Sequence, residues 1–296
     1  MNNTVVLDFD QSTGKFENAL KIELGGWQEK IRFGCSNSQF QQLQTYLEPQ
    51  LPPHPGTVFM GSGDYHHISL FLIQRLQNYF SSVKPIQVVI FDNHPDNMRY
   101  LFGIHCGSWV SYVAQLPFVS HVHVLGITSN DIGLAHSWEN RLTPLLKNKL
   151  TYWCMDVKIG WAKKFGLQNA FRAFGSPAEL VNTFIHTQQS SQQPIYLSID
   201  KDVLDKNVVQ TNWDQGRMQL EDVLTVIRAL DQRIIGSDIT GEVSQWQYQS
   251  LLKRILSAMD KQEPIAASTL SAWQTQHHAV NQILLTALTQ HQATIA

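Results

Sequence analysis

The chain alternates between short apolar runs and longer segments in which apolar residues recur every three or four positions. Continuous runs rich in Val, Ile, Leu and Phe are typical of buried strands, and the longer spacing is typical of helices with one buried face. The pattern predicts strands at residues 5–9, 58–60, 88–91, 121–126, 150–154, 195–199 and 234–239. It predicts helices at residues 70–80, 177–186, 220–230, 248–259 and 271–291.

This order of elements indicates the fold class. Continuous apolar strands that alternate with helices favour a parallel sheet covered by helices on both faces. We therefore predict a three-layer α/β/α sandwich with a mostly parallel central sheet. The chain has 296 residues, 43% of them hydrophobic, with no internal repeat and no long linker. Because one large core can be built from that length, we predict a single domain over residues 1–296.

Charge and cysteine content argue against several functional classes. The formal net charge is −2 and there is no basic run, which argues against binding nucleic acid. No apolar stretch reaches the ~18 residues that a membrane span needs, and the N-terminus lacks a signal-peptide pattern. The three cysteines have no metal-type spacing. We expect a cytoplasmic protein that acts on a small molecule, without a membrane or nucleic-acid partner. The sequence is also compatible with a homo-oligomer.

Three polar clusters each follow a predicted strand, at residues 61–67, 92–96 and 200–205. Side chains of a strand alternate between its two faces, so alternate residues of an extended segment project the same way. Parallel strands also end at one edge of their sheet, where ligands bind. We therefore expect one group of side chains to converge there: His66, Asp92, His94, Asp96, Asp200 and Asp202.

The charge of this group predicts two metal ions. Four carboxylates carry four negative charges, which two divalent cations would cancel and one would not. Oxygen ligands with some imidazole and no thiolate suit Mn²⁺ better than a structural Zn²⁺ site, and Ni²⁺ or Fe²⁺ would also fit. Two such ions would acidify a shared water and supply hydroxide near neutral pH.

These clusters resemble the metal-binding signature of the ureohydrolases, the arginase–agmatinase–formimidoylglutamase family. That family has a Gly-Gly-Asp-His segment, an Asp-x-His-x-Asp segment and a Ser-x-Asp-x-Asp-x-x-Asp segment. The second is present here at residues 92–96 and the third at residues 198–205, complete and in the same order. The first is altered, because Tyr65 stands where the family has an acid, and His67 is an alternative ligand to His66.

The resemblance implies an arginase-like fold and a division of the ligands between two ions. One ion would be bound by His66, Asp92, Asp96 and Asp200, and the other by Asp92, His94, Asp200 and Asp202. A bridging hydroxide would attack the carbon of a guanidino or amidino substrate. Asp96 would carry the proton toward the leaving nitrogen.

The resemblance also implies substrate residues in two loops. His105 or Cys106 would face the substrate, according to how the family's His-Gly pair is aligned, and a helix-entry loop is the alternative interpretation. Glu242 would hold the cationic group of the substrate, and a surface acid is its alternative. Residues 206–216 differ from the family's Gly-rich loop, and Trp213 there predicts a narrower pocket than arginine requires.

Together these observations predict a hydrolase with two metal ions that cleaves a C–N bond of a guanidino or amidino small molecule, with Asp96, His105 and Glu242 as catalytic residues. The substrate contacts would be Glu242, Cys106 and Trp213. Two alternatives stay open. One is a metal-dependent amidohydrolase or deacetylase with a related site, and the other is a non-catalytic protein of this fold that binds metal or a small molecule.

Overall fold

The computed structural model describes residues 3–250, 253–254 and 265–291. Nine strands form one parallel sheet in the order β2-β1-β4-β11-β10-β5-β7-β8-β9, and β3 pairs with β6 in a separate antiparallel ladder. The strands are β1 Asn3–Asp8, β2 Leu20–Glu23, β3 Gly34–Cys35, β4 Pro55–Phe59, β5 Ile86–Phe91, β6 Ile104–His105, β7 Val119–Ile127, β8 Leu150–Met155, β9 Phe171–Phe174, β10 Ile195–Asp200 and β11 Ile234–Thr240.

Helices cover both faces of the sheet. The described α-helices are Gln28–Ile31, Asn37–Leu47, Ser69–Gln74, Val110–Val113, Thr143–Leu146, Gly160–Lys164, Pro177–Gln188, Leu220–Leu230 and Ala267–His291. Short 3₁₀ turns occupy Gly25–Trp27, Gly63–Ile68, Arg75–Asn78, Cys106–Ser108, Asn130–Ile132, Lys201–Val203 and Asp231–Arg233. Among the helices described, none is both long and apolar enough to cross a membrane.

The core consists of two apolar layers, one on each face of the sheet. Val88 and Ile90 of β5 belong to one layer, and Val89 and Phe91 to the other. Adjacent residues of a strand point to opposite faces, so a strand buried on both faces needs the unbroken apolar run seen here. The predicted three-layer sandwich is therefore confirmed.

All seven predicted strands are present, but two edge strands of the main sheet were missed. In β2 only Ile22 is buried, and in β9 only Phe171 is buried. An edge strand with one buried side chain shows no apolar run, so its pattern resembles that of a loop. The short β3–β6 ladder was also missed.

The predicted helices differ from the observed ones mainly at their ends. Helix 70–80 is Ser69–Gln74 followed by the 3₁₀ turn Arg75–Asn78, and the final helix begins at Ala267 instead of residue 271. The helix predicted at 248–259 falls largely on residues outside those described, so it stays a prediction.

Candidate metal centre

Four neighbouring strands of the parallel sheet, β4, β11, β10 and β5, end at the same edge. Strands β4, β10 and β5 are followed by the polar clusters at residues 61–67, 200–205 and 92–96, and β11 is followed by the turn that carries Glu242. Because these strands are hydrogen-bonded neighbours, segments far apart in the sequence become adjacent in space.

The first candidate ligand group forms around His66. Its Nδ1 atom lies 3.1 Å from Oδ2 of Asp92, 3.0 Å from Oδ2 of Asp96 and 3.5 Å from Oδ2 of Asp200. All four side chains are buried. The structure therefore brings together the four residues that the resemblance assigned to one ion.

The second group forms around His94. Its Nδ1 atom lies 2.9 Å from Oδ2 of Asp202 and 3.5 Å from Oδ1 of Asp92. Asp92 thus faces both histidines, with one oxygen toward each group. Among the described residues, two sets of three donors are each close enough together to bind one ion. Asp92 belongs to both sets, which are His66, Asp92 and Asp96, and Asp92, His94 and Asp202.

The chemistry of these donors fits a bound cation. Nδ1 of His66 and Oδ2 of Asp92 are buried and have no hydrogen-bond partner among the described residues. A buried polar atom without a partner is costly, and a metal ion would satisfy both atoms at once. The two groups therefore suit a pair of divalent ions that share Asp92.

The pKa values of the carboxyl groups show the same excess of negative charge. Burial, followed by the charge of Asp92, raises the pKa of both Asp96 and Asp202 to about 7. Burial also favours the neutral form of Asp92, but the neighbouring imidazoles of His66 and His94 outweigh it and lower the pKa of Asp92 to about 2. Without a cation, Asp96 and Asp202 would therefore be partly protonated near neutral pH.

A buried chain of hydrogen bonds orients His66. Its Nε2 atom lies 2.9 Å from Oγ of Ser198, which in turn donates to Oδ1 of Asp238 over 2.7 Å. Tyr196 and Ser69 donate to the same carboxylate. This arrangement favours a proton on Nε2 and leaves the lone pair of Nδ1 facing Asp92 and Asp96.

Sequence reasoning missed Asp238, which reaches His66 through Ser198, and Asp214, which contacts His94 directly. Asp238 could have been noticed as a carboxylate inside the apolar run of β11. Asp214 lies in the divergent loop, where the resemblance offered no alignment, and its Oδ1 atom lies 2.8 Å from Nε2 of His94.

The altered first motif is explained by packing around Arg32. Arg32 is buried and donates from Nε to Oδ2 of Asp64 over 2.6 Å and from Nη2 to Oγ of Ser62. Tyr65, which replaces the family's acid, stacks on Phe9 with ring centroids 4.3 Å apart. These contacts fix the turn that carries His66.

His67 lies apart from both ligand groups. It is fully buried, its ring lies 6.0 Å from that of Phe40, and neither ring nitrogen has a partner among the described residues. Burial lowers its pKa well below the usual value. The geometry favours His66 over His67 as the ligand.

A cavity of about 220 Å³ opens onto the two groups. His105, Cys106 and Trp213 all line it, so both alignments of the His-Gly pair reach the cavity. Burial lowers the pKa of His105 to about 4, which keeps this imidazole neutral. Further lining residues that the sequence did not single out are Met98, Asp131, Glu139 and Asn140.

The structure does not place Glu242 at the cavity, which corrects the sequence prediction. Glu242 is 1% exposed and pairs with Lys201, and its Oε1 atom accepts from Nδ2 of Asn281 over 2.6 Å. Lys201 lies between Asp200 and Asp202 in the sequence, and its side chain points away from the candidate metal centre. Glu242 lies on that side too, because it pairs with Lys201. No sequence pattern marked Asn281 as the third member of this network.

Fold and site together define an α/β/α protein with a candidate two-metal centre at the carboxyl edge of its sheet. A family model described as Arginase family matches residues 28–245. The chain therefore belongs to the Arginase family.

Individual proteins are also similar to this chain. An uncharacterised protein of Thermotoga maritima is 29% identical over 217 residues, which is 72% of this chain and 70% of that protein. The structure of Entamoeba histolytica arginase in complex with L-ornithine aligns with a TM-score of 0.53 at 12% identity, over 98% of this chain and 99% of that one. Proclavaminate amidino hydrolase from Streptomyces clavuligerus aligns with a TM-score of 0.52 at 15% identity, over 95% and 92% of the two chains. At such identities the likeness establishes the fold.

Proposed function

We propose that this protein is a hydrolase with two divalent metal ions, Mn²⁺ being the first choice, that cleaves a C–N bond of a guanidino or amidino small molecule. The observation that carries the proposal is the convergence of two donor groups on Asp92 at the floor of one cavity. Family membership supports the reaction class.

In this proposal His66, Asp92, Asp96 and Asp200 hold one ion, and Asp92, His94, Asp200 and Asp202 hold the other. When bound, two divalent ions would supply a hydroxide nucleophile near neutral pH. The chain's own residues position the substrate and move the protons.

Asp96 is the proposed proton carrier. It lines the cavity, and its Oδ2 atom already accepts a hydrogen bond from Nε1 of Trp109 over 2.6 Å. Its Oδ1 atom is therefore the oxygen that can take a proton and deliver it to the leaving nitrogen. Trp213 covers the cavity beside His94, with ring centroids 6.1 Å apart, and limits the access of water.

Two acidic residues on the cavity wall favour a substrate with a positive charge. Asp131 and Glu139 line the cavity, and no Lys or Arg is among the described residues that do. Glu139 is already 3.0 Å from Nδ1 of His136, which leaves Asp131 as the carboxylate more open to a substrate. We propose that Asp131 takes the cation-binding role that the sequence had assigned to Glu242.

The test combines metal loading with a screen for released product. Protein freed of metal by a chelator and then dialysed against Mn²⁺ should hold about two ions per chain, as a two-metal site requires. The loaded protein should then release urea or ammonia from a guanidino or formimino compound. Stoichiometry near zero, or two ions without turnover of any compound in the panel, would contradict the proposal.

A metal-dependent amidohydrolase or deacetylase is the second candidate, and the burial of Glu242 away from the cavity favours it. Such an enzyme acts on a neutral amide and needs no carboxylate beside the reacting carbon. A parallel panel of N-acetylated amines separates the two, because turnover confined to that panel would support the second candidate.

A further inference from the structure

Trp109 and Val110, which are neighbours in the chain, each contact the candidate ligand Asp96. The indole Nε1 atom donates to Oδ2 of Asp96 over 2.6 Å, and the backbone N–H of Val110 donates to the carbonyl oxygen of Asp96 over 3.0 Å. Both the side chain and the backbone of Asp96 are therefore bound by the start of the helix Val110–Val113.

The backbone of Asp96 needs such support. Its φ angle is +45°, a left-handed conformation that residues other than glycine seldom adopt. Residues in this region persist when surrounding contacts fix them, and they cluster at functional sites. Here the fixing contacts come from Trp109 and Val110, thirteen residues or more along the chain.

Trp109 is buried beside two members of the first ligand group, His66 and Asp96. Trp109 is fully buried, and its ring lies 4.7 Å from that of His66. The indole N–H is a donor only and does not ionise, so it binds a carboxylate without competing for its proton. It also directly follows the cavity-lining turn Cys106–Ser108.

We propose that Trp109 is the positioning residue for Asp96, and that its indole N–H sets the affinity of the His66–Asp92–Asp96 group for a divalent cation. The inference rests on the proposed function, because it assigns Asp96 to a metal ion. Partners that orient a ligand in this way typically change metal affinity by ~10–100-fold when removed.

The test compares two tryptophan variants of the full chain. Trp109→Phe keeps a buried aromatic ring and removes the N–H. Trp153→Phe is the matched control, because Trp153 is also buried and its Nε1 atom donates to Nδ1 of His123 over 3.2 Å, on a strand that carries no candidate ligand. Calorimetric titration of Mn²⁺ should show at least one site weakened by about tenfold or more in Trp109→Phe, and affinities within about twofold of wild type in Trp153→Phe.

A purely structural role gives a different result. The melting temperatures of Trp109→Phe and Trp153→Phe would then fall by similar amounts, while both variants would bind Mn²⁺ with the affinity of the wild type. That outcome would overturn the inference. Equal loss of Mn²⁺ affinity in both variants would overturn it as well. Wild-type protein that takes up no Mn²⁺ would overturn both this inference and the proposed function, whereas two ions bound equally by wild type and Trp109→Phe would overturn the inference alone.

A second measurement does not depend on the folding of Trp109→Phe. The chain has eight tryptophans, so eight indole N–H resonances are expected in a ¹⁵N spectrum. In a Trp213→Phe background, which removes the indole that lines the cavity, Zn²⁺ should shift one resonance far more than the rest. If all seven remaining resonances stay in place while Zn²⁺ binds, the indole does not contact a metal ligand.

Discussion

Two clusters of buried charged residues lie at the same edge of the sheet. Both include residues of the turn at residues 200–202. Asp200 and Asp202 face the candidate metal centre, where four carboxylates meet two imidazoles. Lys201, between them, faces Glu242 and donates to Oδ1 of Asn281 over 2.8 Å. The first cluster has an excess of negative charge, and the second contains its own counter-charge.

The difference separates a site that needs an external ion from one that does not. In the Lys201 cluster, burial lowers the pKa of the lysine while Glu242 opposes that shift. The positive charge of Lys201 is therefore compensated by the negative charge of Glu242. In the metal centre, burial raises the pKa of Asp96 and Asp202 instead. The buried charges of Lys201 and Glu242 therefore stabilise the fold, whereas those of the candidate metal centre are available to bind a cation.

The largest expected effect follows from breaking the compensated cluster. Lys201→Met leaves the Glu242 carboxylate buried without its cation, which should cost about 3–5 kcal/mol of unfolding free energy. Urea denaturation of the metal-free protein measures it. The double variant Lys201→Met/Glu242→Gln should recover most of the loss, because no unpaired charge remains; a double variant no more stable than the single one would show that the pair is not coupled.

The second prediction addresses the uncompensated cluster. Asp96→Asn should lower kcat at least ~10²-fold while the fold is kept, because the amide cannot take up a proton. The matched control is Asp205→Asn, since Asp205 belongs to the same sequence motif as Asp200 but only caps the N–H of Asn207. Activity of a folded, metal-loaded Asp96→Asn protein near that of Asp205→Asn would refute the assignment.

A smaller effect is expected on the cavity wall. Asp131→Asn should lower kcat/KM for a cationic guanidino substrate by about tenfold, because one charge-assisted contact is lost. A neutral amide substrate should be affected little. Glu242→Gln, by contrast, should reduce stability through Lys201 more than it changes KM. Equal effects of Asp131→Asn on charged and neutral substrates would rule out charge recognition by this residue.

The last expected effect is a pH dependence of the stability of the metal-free protein. Asp96 and Asp202 have pKa values raised from 3.8 to about 7 in the folded state, so folding takes up protons between these values. Their contribution is complete below pH 3.8 and is lost as the pH rises through about 7. The melting temperature of chelator-treated protein should therefore fall between about pH 5 and 7.5. Mn²⁺-loaded protein should lose this slope; identical profiles would argue against metal at these carboxylates.

The sequence predicted the sheet and the convergence of six side chains for a simple physical reason. Doubly buried parallel strands need continuous apolar runs, and their ends must meet at one edge, so Asp92 and Asp200 had to lie close together. The edge strands β2 and β9 were not predicted, because each buries one side chain and so has no continuous apolar run.

The surroundings of the site were harder to predict. The direction of Lys201, and with it the position of Glu242, depends on Asn281, which is eighty residues further along the chain. Trp109 and Asp214 contact the candidate ligands through tertiary packing that has no periodic signal. Long-range partners of this kind do not show in local patterns, whereas strand ends do.

The bond between Lys201 and Asn281 has a consequence for the order of events during synthesis. Asn281 belongs to the helix Ala267–His291, which leaves the ribosome after every residue of the metal centre. Until it docks, the turn that carries Asp200 and Asp202 lacks one partner of its central lysine. We expect nascent chains stalled before residue 267 to bind a divalent cation more weakly than chains in which this helix has docked.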